Sequence, residues 1–428
     1  MLREAATSRE GLGDGEAPGV ATVVFDTSGR VSCLTLATSG QRDGERRWSP
    51  CPFHRRDGER RRGQDIACEN KTRKYGFAMK DPRPFRVPPK LDRGDRVAIV
   101  SPSWAGAGAY PEVHEMGLRV LRERFGLIPV EYPTTRQLGA SAVERARDLN
   151  AAFADSEIKA LMAVIGGSDQ ITVLPHLDAD LIAANPKAFF GYSDNTNLLN
   201  YLWNLGISSY HGGSTLVHLA RPGGVHDVAM TSLGHALFDH QVVEIAPVDY
   251  FTDLECRWEE PSTLAAPLPT TRETGWHWHN GARVASGTTW GGNLEILHWN
   301  LASNRWILPN EAYAGCVLLL ETSEEMPPAD DVFRMLRNFG ERGLLAQFGA
   351  VVVAKAKAWH GHAPLALPQR TAFRADQEAA VLRALAIYNP HAIFVYGPDF
   401  GHTDPQYVLP YGGLMTVDGP AQRISVRY

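Results

Sequence analysis

Three polar residues follow apolar runs in this sequence and could together break an acyl bond. Ser193 follows the run 187–191 and precedes a helical pattern, so we expect its hydroxyl in a sharp strand-to-helix turn. Glu321 comes directly after five apolar residues, and His402 lies in a loop just past another apolar run. A serine nucleophile needs a base, normally histidine, and that histidine needs an orienting carboxylate. The order Ser193, Glu321, His402 would supply nucleophile, acid and base.

Each of these residues also has a structural alternative. The motif Gly-Tyr-Ser-Asp-Asn at 191–195 lacks the second glycine of Gly-x-Ser-x-Gly, and Ser193 could simply cap the following helix. Glu321 could pair with an arginine, and His402 could be a turn residue bonded to backbone. Sequence spacing does not show that the three side chains meet, so the residues alone leave both possibilities open.

The elements that would position Ser193 alternate between strand and helix from residue 91 onward. The patterns predict strands at 96–100, 128–132, 160–165, 189–191 and 208–211, and helices at 111–125, 142–154, 170–177 and 196–205. Such alternation is typical of a doubly wound parallel sheet, whose site lies at the carboxyl ends of the strands. Ser193 and the pair Gly166-Gly167 both fall at such ends.

The second half of the chain carries the other two candidates and predicts a separate α/β or barrel-like domain that starts near residue 280. Strands are expected at 315–320, 350–355 and 392–396, and helices at 295–301, 332–342 and 376–387. Residues 221–289 are less regular and rich in tryptophan. We therefore predict four segments, namely an extension at 1–78, a nucleophile domain at 79–245, a Trp-rich connecting loop at 246–285 and a C-terminal domain at 286–428.

Composition limits the class of protein. The chain has 428 residues, is 44% hydrophobic and 21% charged, and has a formal net charge of -5, which gives no general attraction to nucleic acid or to an anionic membrane. No apolar run approaches the roughly 20 residues of a membrane span, and no signal-peptide pattern is evident. The five cysteines form no C-x-x-C pair, which favours a reduced, cytoplasmic setting.

No cofactor or metal is expected from the motifs. The alternating histidines at 276–279 and 359–362 could ligate a metal, but neither pair has a third ligand nearby in sequence, so packing is favoured. Gly166-Gly167-Ser168 lacks the spacing of a dinucleotide or Walker loop. A phosphate-binding loop is therefore not predicted.

Residues 1–78 differ from the rest, with mixed charge, many glycines and the hexapeptide Arg-Asp-Gly-Glu-Arg-Arg at 42–47 and again at 56–61. Such sequence buries too little apolar surface to offset its ordering entropy, which favours a disordered extension. A basic arm for nucleic acid or a partner is the functional alternative. A third possibility is that Met79 is the true start.

Five motifs occur in order along the chain: Ile165-Gly-Gly-Ser-Asp, Gly191-Tyr-Ser-Asp-Asn-Thr, Gly291-Gly-Asn-Leu, Leu318-Leu-Leu-Glu and Phe400-Gly-His-Thr-Asp-Pro. Together they resemble the LD-carboxypeptidase and microcin C self-immunity family of serine peptidases. The resemblance extends from about residue 79 to residue 428 and leaves residues 1–78 outside.

The resemblance implies a Rossmann-like, doubly wound parallel-sheet N-terminal domain and a smaller C-terminal α/β domain of swivelling β-barrel type. By motif, Ser193 is the nucleophile, Glu321 the acid and His402 the general base. The backbone N–H of Asp194, with one from Gly166 or Gly167, would form the oxyanion hole. A homodimer is the expected assembly.

Two substrate classes follow from the resemblance. LD-carboxypeptidases cut before the terminal D-Ala of a murein tetrapeptide, whereas the immunity proteins cut the link between a peptidyl aspartate and a modified nucleotide. The long Trp-bearing segment favours the second class, with Trp258 as the candidate platform for the base and Trp276 or Trp278 as alternatives. Tyr192 and His211 are further candidates for substrate binding. A two-domain binding protein without catalysis is the alternative from another class.

Overall fold

The computed structural model describes residues 85–362 and 364–428, together with the backbone of two short strands nearer the N-terminus. Apart from these two strands, the predicted disordered extension at 1–78 lies outside the described residues, as does the possible start at Met79. The strands are β1 (Val23–Phe25), β2 (Val31–Cys33), β3 (Arg96–Val100), β4 (Ile128–Glu131), β5 (Ile158–Ala163), β6 (Ala188–Gly191), β7 (Ser209–His211), β8 (Val242–Ile245), β9 (Tyr250–Phe251), β10 (Thr271–Arg272), β11 (His277–His279), β12 (Val284–Asn293), β13 (Val317–Glu321), β14 (Ala350–Val353), β15 (Ile393–Tyr396), β16 (Leu409–Tyr411), β17 (Leu414–Asp418) and β18 (Arg423–Arg427).

The α-helices are α1 (Gly106–Ala109), α2 (Pro111–Val120), α3 (Ala142–Ala154), α4 (Ala179–Ala184), α5 (Thr196–Asn204), α6 (Asp227–Phe238), α7 (Leu294–Ala302), α8 (Ala329–Glu341) and α9 (Leu367–Tyr388). Short π or 3₁₀ turns occupy Leu121–Phe125, Gln170–Thr172, Leu174–His176, Ser193–Asn195, Thr215–Leu219, Pro261–Leu264, Asn310–Tyr313 and Leu345–Gln347. In the part of the chain that the structure describes, no helix is long and apolar enough to cross a membrane.

The first half of the folded region is a six-stranded sheet in the order β16-β7-β6-β5-β3-β4. Strands β3 to β7 pair in parallel, as their nearly continuous apolar sequences predict, since both faces of such strands are covered. The carboxyl ends of β5 and β6 lie side by side, because Met162 pairs with Phe190. The turns that follow these strands, at 164–168 and 192–195, therefore meet at one edge of the sheet.

The second half forms an eight-stranded sheet in the order β11-β15-β14-β13-β12-β17-β18-β8. Strand β12 belongs to two pairings: residues 284–288 run antiparallel to β17, and residues 289–293 run parallel to β13. The predicted α/β class, with a parallel N-terminal sheet and a separate sheet-rich C-terminal region, is confirmed. Strand β1 pairs antiparallel with β2 in a two-stranded sheet.

Two strands each pair with the sheet formed mainly by the other part of the chain. Strand β8, at the end of the predicted nucleophile domain 79–245, pairs with β18 at the edge of the second sheet. Strand β16, from the last 20 residues, pairs antiparallel with β7 in the first sheet. Helix α5 also spans the junction: Trp203 stacks on Tyr313 with ring centroids 5.2 Å apart and donates from Nε1 to the Thr289 carbonyl at 3.1 Å. These contacts hold the Ser193 turn against the sheet that carries Glu321.

Several predicted elements differ from the structure. The expected helix at 170–177 is two short turns, because Pro175 has no N–H to donate. The helix expected at 376–387 begins earlier, at Leu367. The segment 221–289, for which less regular structure was predicted, contains α6 and β8 to β11. Helix α6 begins after His226, whose side chain accepts from the Val228 N–H, a histidine cap that sequence patterns do not anticipate.

Candidate active site

Ser193 lies in the turn between β6 and α5 with a backbone φ of 61°, a left-handed conformation that strains residues other than glycine. Neighbouring polar groups hold this turn in place. The Asn195 amide donates to the carbonyls of Ile165 and Tyr192, each at 3.1 Å, and accepts from Gln170 Nε2 at 2.8 Å. The turn therefore has the backbone strain and the support expected of a nucleophile elbow.

Gly166 lies directly against this hydroxyl. A Cβ atom at Gly166 would be 3.1 Å from Ser193 Oγ and 3.4 Å from the backbone nitrogen of Asp194. A Cβ at Gly167 would instead be 2.9 Å from Ser103 Cβ and 3.1 Å from the Trp104 nitrogen. Of the two glycines predicted at the oxyanion hole, the structure brings Gly166 to Ser193 and Asp194, whereas Gly167 packs against the 103–104 segment.

Glu321, at the end of β13, contacts His402, which lies in the loop after β15. Glu321 ends β13 with its side chain fully buried, and its Oε2 accepts from His402 Nδ1 at 2.6 Å. The imidazole is also nearly buried, with 9% of its side chain exposed. With Nδ1 held by Glu321, proton transfer by this ring would have to use its other nitrogen, Nε2.

A second carboxylate, missed by the sequence analysis, lies at Nε2. Glu324 Oε2 is 3.1 Å from His402 Nε2. Burial acts to lower the pKa of His402, but attraction to Glu321 and Glu324 outweighs it and raises that pKa to about 10. Burial likewise acts to raise the pKa of Glu324, yet its hydrogen bond to His402 lowers that pKa to about 2. Among the described residues, Ser193 Oγ makes no hydrogen bond.

Ser193 and His402 line one cavity of about 1190 Å³, and Tyr192 and Glu324 lie on the same wall. The Tyr192 ring is 5.0 Å from the His402 ring, and burial raises its pKa, so the phenol stays neutral. His211 does not reach this cavity. It is fully buried, and burial lowers its pKa to about 4.

His211 instead packs behind the wall, with its ring 6.1 Å from Tyr192 and 5.7 Å from Phe400. Within the described residues its two ring nitrogens have no hydrogen-bond partner. The position of His211 therefore favours a role in supporting the cavity wall over direct contact with a ligand.

Among the described residues, three tryptophans line the cavity, and one of them, Trp258, is among the three that the sequence suggested. Trp258 is among them, with its ring 5.2 Å from Tyr110, and Trp104 and Trp359 join it. The alternatives to Trp258 belong to the C-terminal sheet: Trp276 precedes β11 and is 9% exposed, and Trp278 lies within β11 against the core.

The segment that carries Trp258 is anchored at its base by Asp253. This carboxylate is 2% exposed and accepts from Arg370 at 3.0 Å and from Arg374, both on α9. Thr252 and Asp404 exchange backbone hydrogen bonds of 2.7 and 2.9 Å. The Trp258 segment is thus attached to the loop that carries His402.

The two histidine pairs lie in different surroundings. His277 and His279 each contact Glu378 at 2.7 Å, and His360 and His362 lie on the cavity wall. Over residues 85–362 and 364–428, no group of three or more His, Cys, Asp or Glu is arranged to hold a metal ion.

Two family models match the chain. Residues 97–212 match the LD-carboxypeptidase N-terminal domain, and residues 286–417 match the LD-carboxypeptidase C-terminal domain. Together the two ranges cover more than half of the sequence. Ser193 falls in the first range, and Glu321 and His402 fall in the second.

Individual relatives are distant but similar over most of their length. The microcin C7 self-immunity protein MccF of Escherichia coli is 24% identical over 66% of this chain and 78% of its own. The "Probable murein peptide carboxypeptidase" of Bacillus subtilis is 25% identical over 76% of this chain and 89% of its own. The structure of MccF in complex with glutamyl sulfamoyl guanosine has a TM-score of 0.69 at 22% identity, covering 80% of this chain and 98% of that one, which is a likeness of fold.

Proposed function

This chain belongs to the LD-carboxypeptidase family, and from that premise we propose that it is a serine hydrolase with the triad Ser193, Glu321 and His402. It cleaves an amide-type bond in a small peptide or in a peptidyl-nucleotide conjugate. The observation that carries the proposal is the strained Ser193 turn in the same cavity as a histidine whose Nδ1 is held by a buried glutamate at 2.6 Å.

In the proposed reaction, Ser193 Oγ attacks the scissile carbonyl carbon while His402 Nε2 takes the hydroxyl proton. Glu321 stabilises the imidazolium that forms. The N–H groups of Asp194 and of the Gly166 turn receive the developing oxyanion. The proton on Nε2 passes to the leaving group as its bond to the carbonyl breaks, and water then hydrolyses the ester on Ser193 by the reverse roles.

A peptidyl-nucleotide conjugate is the preferred substrate class. A cavity of about 1190 Å³ exceeds the roughly 300–1,000 Å³ that holds a drug-sized ligand. Trp258 and Trp104 line this cavity and supply flat aromatic surface on which a nucleobase can stack, and Tyr110 packs edge-on against both rings. By analogy with the named immunity protein, cleavage of such a conjugate would detoxify it. The homodimer and the cytoplasmic location remain predictions of the same proposal.

Hydrolysis of a murein tetrapeptide before its terminal D-Ala is the second candidate. The relative named as a murein peptide carboxypeptidase aligns over a larger share of this chain than the immunity protein does, 76% against 66%. A site for a free peptide carboxylate would suit Arg221, which lines the cavity and pairs with Asp404 at 2.8 Å.

The test compares the parent protein with Ser193→Ala on two compounds, aspartyl sulfamoyl adenosine and murein tetrapeptide. We expect Ser193→Ala to keep its fold and to lose several orders of magnitude in kcat. A fluorophosphonate probe should label the parent and leave Ser193→Ala unlabelled. Hydrolysis by Ser193→Ala at the parental rate would remove the nucleophile assignment. Tight binding of either compound without turnover by the parent would favour the non-catalytic binding protein.

A further inference from the structure

Both nitrogens of His402 are engaged by carboxylates, Nδ1 by Glu321 at 2.6 Å and Nε2 by Glu324 at 3.1 Å. A neutral imidazole has one N–H, so it can donate to only one of them, whereas an imidazolium donates to both. With a proton on Nε2 and Glu324 beside it, His402 has no lone pair with which to accept the proton of Ser193. The arrangement described is therefore a resting state that is not ready for attack.

Glu324 differs from Glu321 in being reachable from the cavity. Its side chain is 46% exposed, whereas that of Glu321 is fully buried. Glu295 holds the connecting residue Ser323, accepting from its N–H at 2.9 Å and its hydroxyl at 2.7 Å. Glu324 can therefore change partner while Glu321 and the backbone between the two stay in place.

The cations of the cavity wall are already paired with other acids. Their ion pairs, as the described residues form them, are Arg145–Asp169 at 2.7 Å, Arg221–Asp404 at 2.8 Å, Arg257–Glu260 at 2.9 Å and Lys357–Glu255 at 3.1 Å. Because these wall cations already have acidic partners, a cation that replaces His402 as the partner of Glu324 would most directly be part of the bound ligand.

Asp404, two residues along the same loop as His402, is paired with Arg221 at 2.8 Å, and the two neighbouring rings are uncharged at neutral pH. Tyr192, whose ring is 5.0 Å from the imidazole, stays a neutral phenol, and His211, behind the wall, stays a neutral imidazole because burial lowers its pKa. The charge state of His402 is thus set by the two carboxylates. Its raised pKa is consistent with a ring held protonated by both.

We propose that Glu324 is a specificity latch, which holds His402 Nε2 away from Ser193 until an ammonium group of the substrate pairs with Glu324. This inference rests on the proposed function and narrows its substrates to those with a free amine close to the scissile bond. When Glu324 turns to the ammonium, the imidazolium loses one of its two stabilising charges and releases its Nε2 proton to water. The lone pair of Nε2 can then accept the proton of Ser193.

Only some members of the two substrate classes contain such an amine: in a peptidyl conjugate the aspartate nitrogen is an uncharged amide, so the latch favours the aminoacyl form over the peptidyl form. An aspartyl nucleotide conjugate has an α-ammonium next to the scissile carbonyl, and a murein tetrapeptide with diaminopimelate has a side-chain ammonium on the residue before D-Ala. A neutral acylated analogue of either compound has no cation to offer Glu324. The latch therefore predicts discrimination between free and acylated amines.

The first experiment measures the ionisation of His402 without any substrate. Histidine side-chain NMR titrations would compare the parent with Glu324→Gln and with the matched control Glu325→Gln, whose exposed site is outside the cavity lining. His402→Gln assigns the resonance. Loss of one adjacent charge should lower the pKa of His402 by about one to three units in Glu324→Gln and leave it unchanged in Glu325→Gln. Equal titration midpoints in all three proteins would overturn the latch.

The second experiment measures kcat/KM on aspartyl sulfamoyl adenosine and on its N-acetyl form across pH. The parent should prefer the free amine by about tenfold or more, corresponding to one pKa unit on His402. Glu324→Gln should lose that preference because it cleaves the acetylated compound faster, with a profile that begins to rise at lower pH than in the parent. An undiminished preference in Glu324→Gln would refute the inference.

Failure of the proposed function has a different signature. If folded parent and Glu324→Gln hydrolyse neither compound, the hydrolase assignment fails, and the latch is judged by NMR alone. The intact free-amine compound should then shift the His402 titration of the parent, and the acetylated compound should not. Identical shifts with the two compounds would exclude a latch that responds to an ammonium group.

Discussion

Replacing Gly166 by alanine puts a methyl group where the proposed reaction needs space. The added Cβ would lie 3.1 Å from Ser193 Oγ, 3.0 Å from Ser193 Cβ and 3.4 Å from the Asp194 nitrogen. An attacked carbonyl carbon must come within about 3–3.5 Å of the nucleophile. Its oxygen must come within about 2.7–3.1 Å of the N–H donors. The methyl group and the reacting acyl group therefore compete for the same volume.

The expected loss of activity in Gly166→Ala follows from the position of its methyl group, which blocks the oxyanion site. Loss of one oxyanion donor alone costs about 3 kcal/mol of transition-state stabilisation, or roughly 100-fold to 1,000-fold in kcat. Gly166 does not have a positive φ, so alanine brings no backbone strain there. The new methyl group would contact its neighbours at 3.0–3.4 Å, so those neighbours must shift slightly. Such crowding should lower the unfolding free energy by at most about 1–3 kcal/mol. Activity should therefore fall far more than stability.

The assay measures kcat/KM on aspartyl sulfamoyl adenosine and murein tetrapeptide, with urea unfolding of the same samples. Gly234→Ala is the matched control, because its Cβ would meet only Phe125 Cε1 at 4.0 Å. We expect parental activity from Gly234→Ala and a loss of at least about 100-fold from Gly166→Ala. A folded Gly166→Ala protein with parental kcat/KM would refute the placement of the oxyanion beside Gly166.

Two further substitutions test the substrate wall and the junction between the sheets. Trp258→Ala should raise KM for aspartyl sulfamoyl adenosine, since base–aromatic stacking is worth about 1–3 kcal/mol. The KM for murein tetrapeptide should hardly change. Equal increases in KM for both compounds would contradict stacking on Trp258. Gly292→Ala should lower the unfolding free energy by about 2–5 kcal/mol, because its φ is +107° and its Cβ would lie 2.6 Å from Thr196 Oγ1. Gly224→Ala is the control, because Gly224 also has a positive φ, +103°, but an added Cβ there would have no atom within 4 Å. If Gly224→Ala lowered the denaturation midpoint as much as Gly292→Ala, the overlap with Thr196 would not explain the loss of stability.

Elements set by local pattern agree well between sequence and structure. The helix after Ser193 was expected at 196–205, and α5 ends one residue earlier, at Asn204, with Gly206 at φ +71°. The predicted helix at 142–154 has the same bounds as α3, whose Ser141 and Glu144 form a capping box. Such features depend on residues three or four positions apart, so they are visible without knowledge of the fold.

Contacts between residues far apart in sequence could not be predicted from such local patterns. Glu324 and Glu325 are neighbours in Glu-Thr-Ser-Glu-Glu, and nothing in that string indicates that Glu324 reaches His402 while Glu325 faces solvent. Trp258 was the candidate platform and Trp276 an alternative, and sequence alone did not separate them; of the two, Trp258 lines the cavity. His211 follows a strand end as Ser193 does, but it lies buried behind Tyr192.

By itself the sequence determined the α/β class, the strand ends that carry Ser193 and Glu321, and the motifs that place the chain in its family, because periodicity and turn chemistry are local properties. Tertiary structure decided which carboxylates face each nitrogen of His402 and which aromatic rings line the cavity. Those outcomes depend on the packing of α5 against the second sheet and on strands β8 and β16 crossing between the halves. Such packing joins residues up to about 200 positions apart, as when the Ser208 hydroxyl donates to the Gly412 carbonyl, and no local pattern records it.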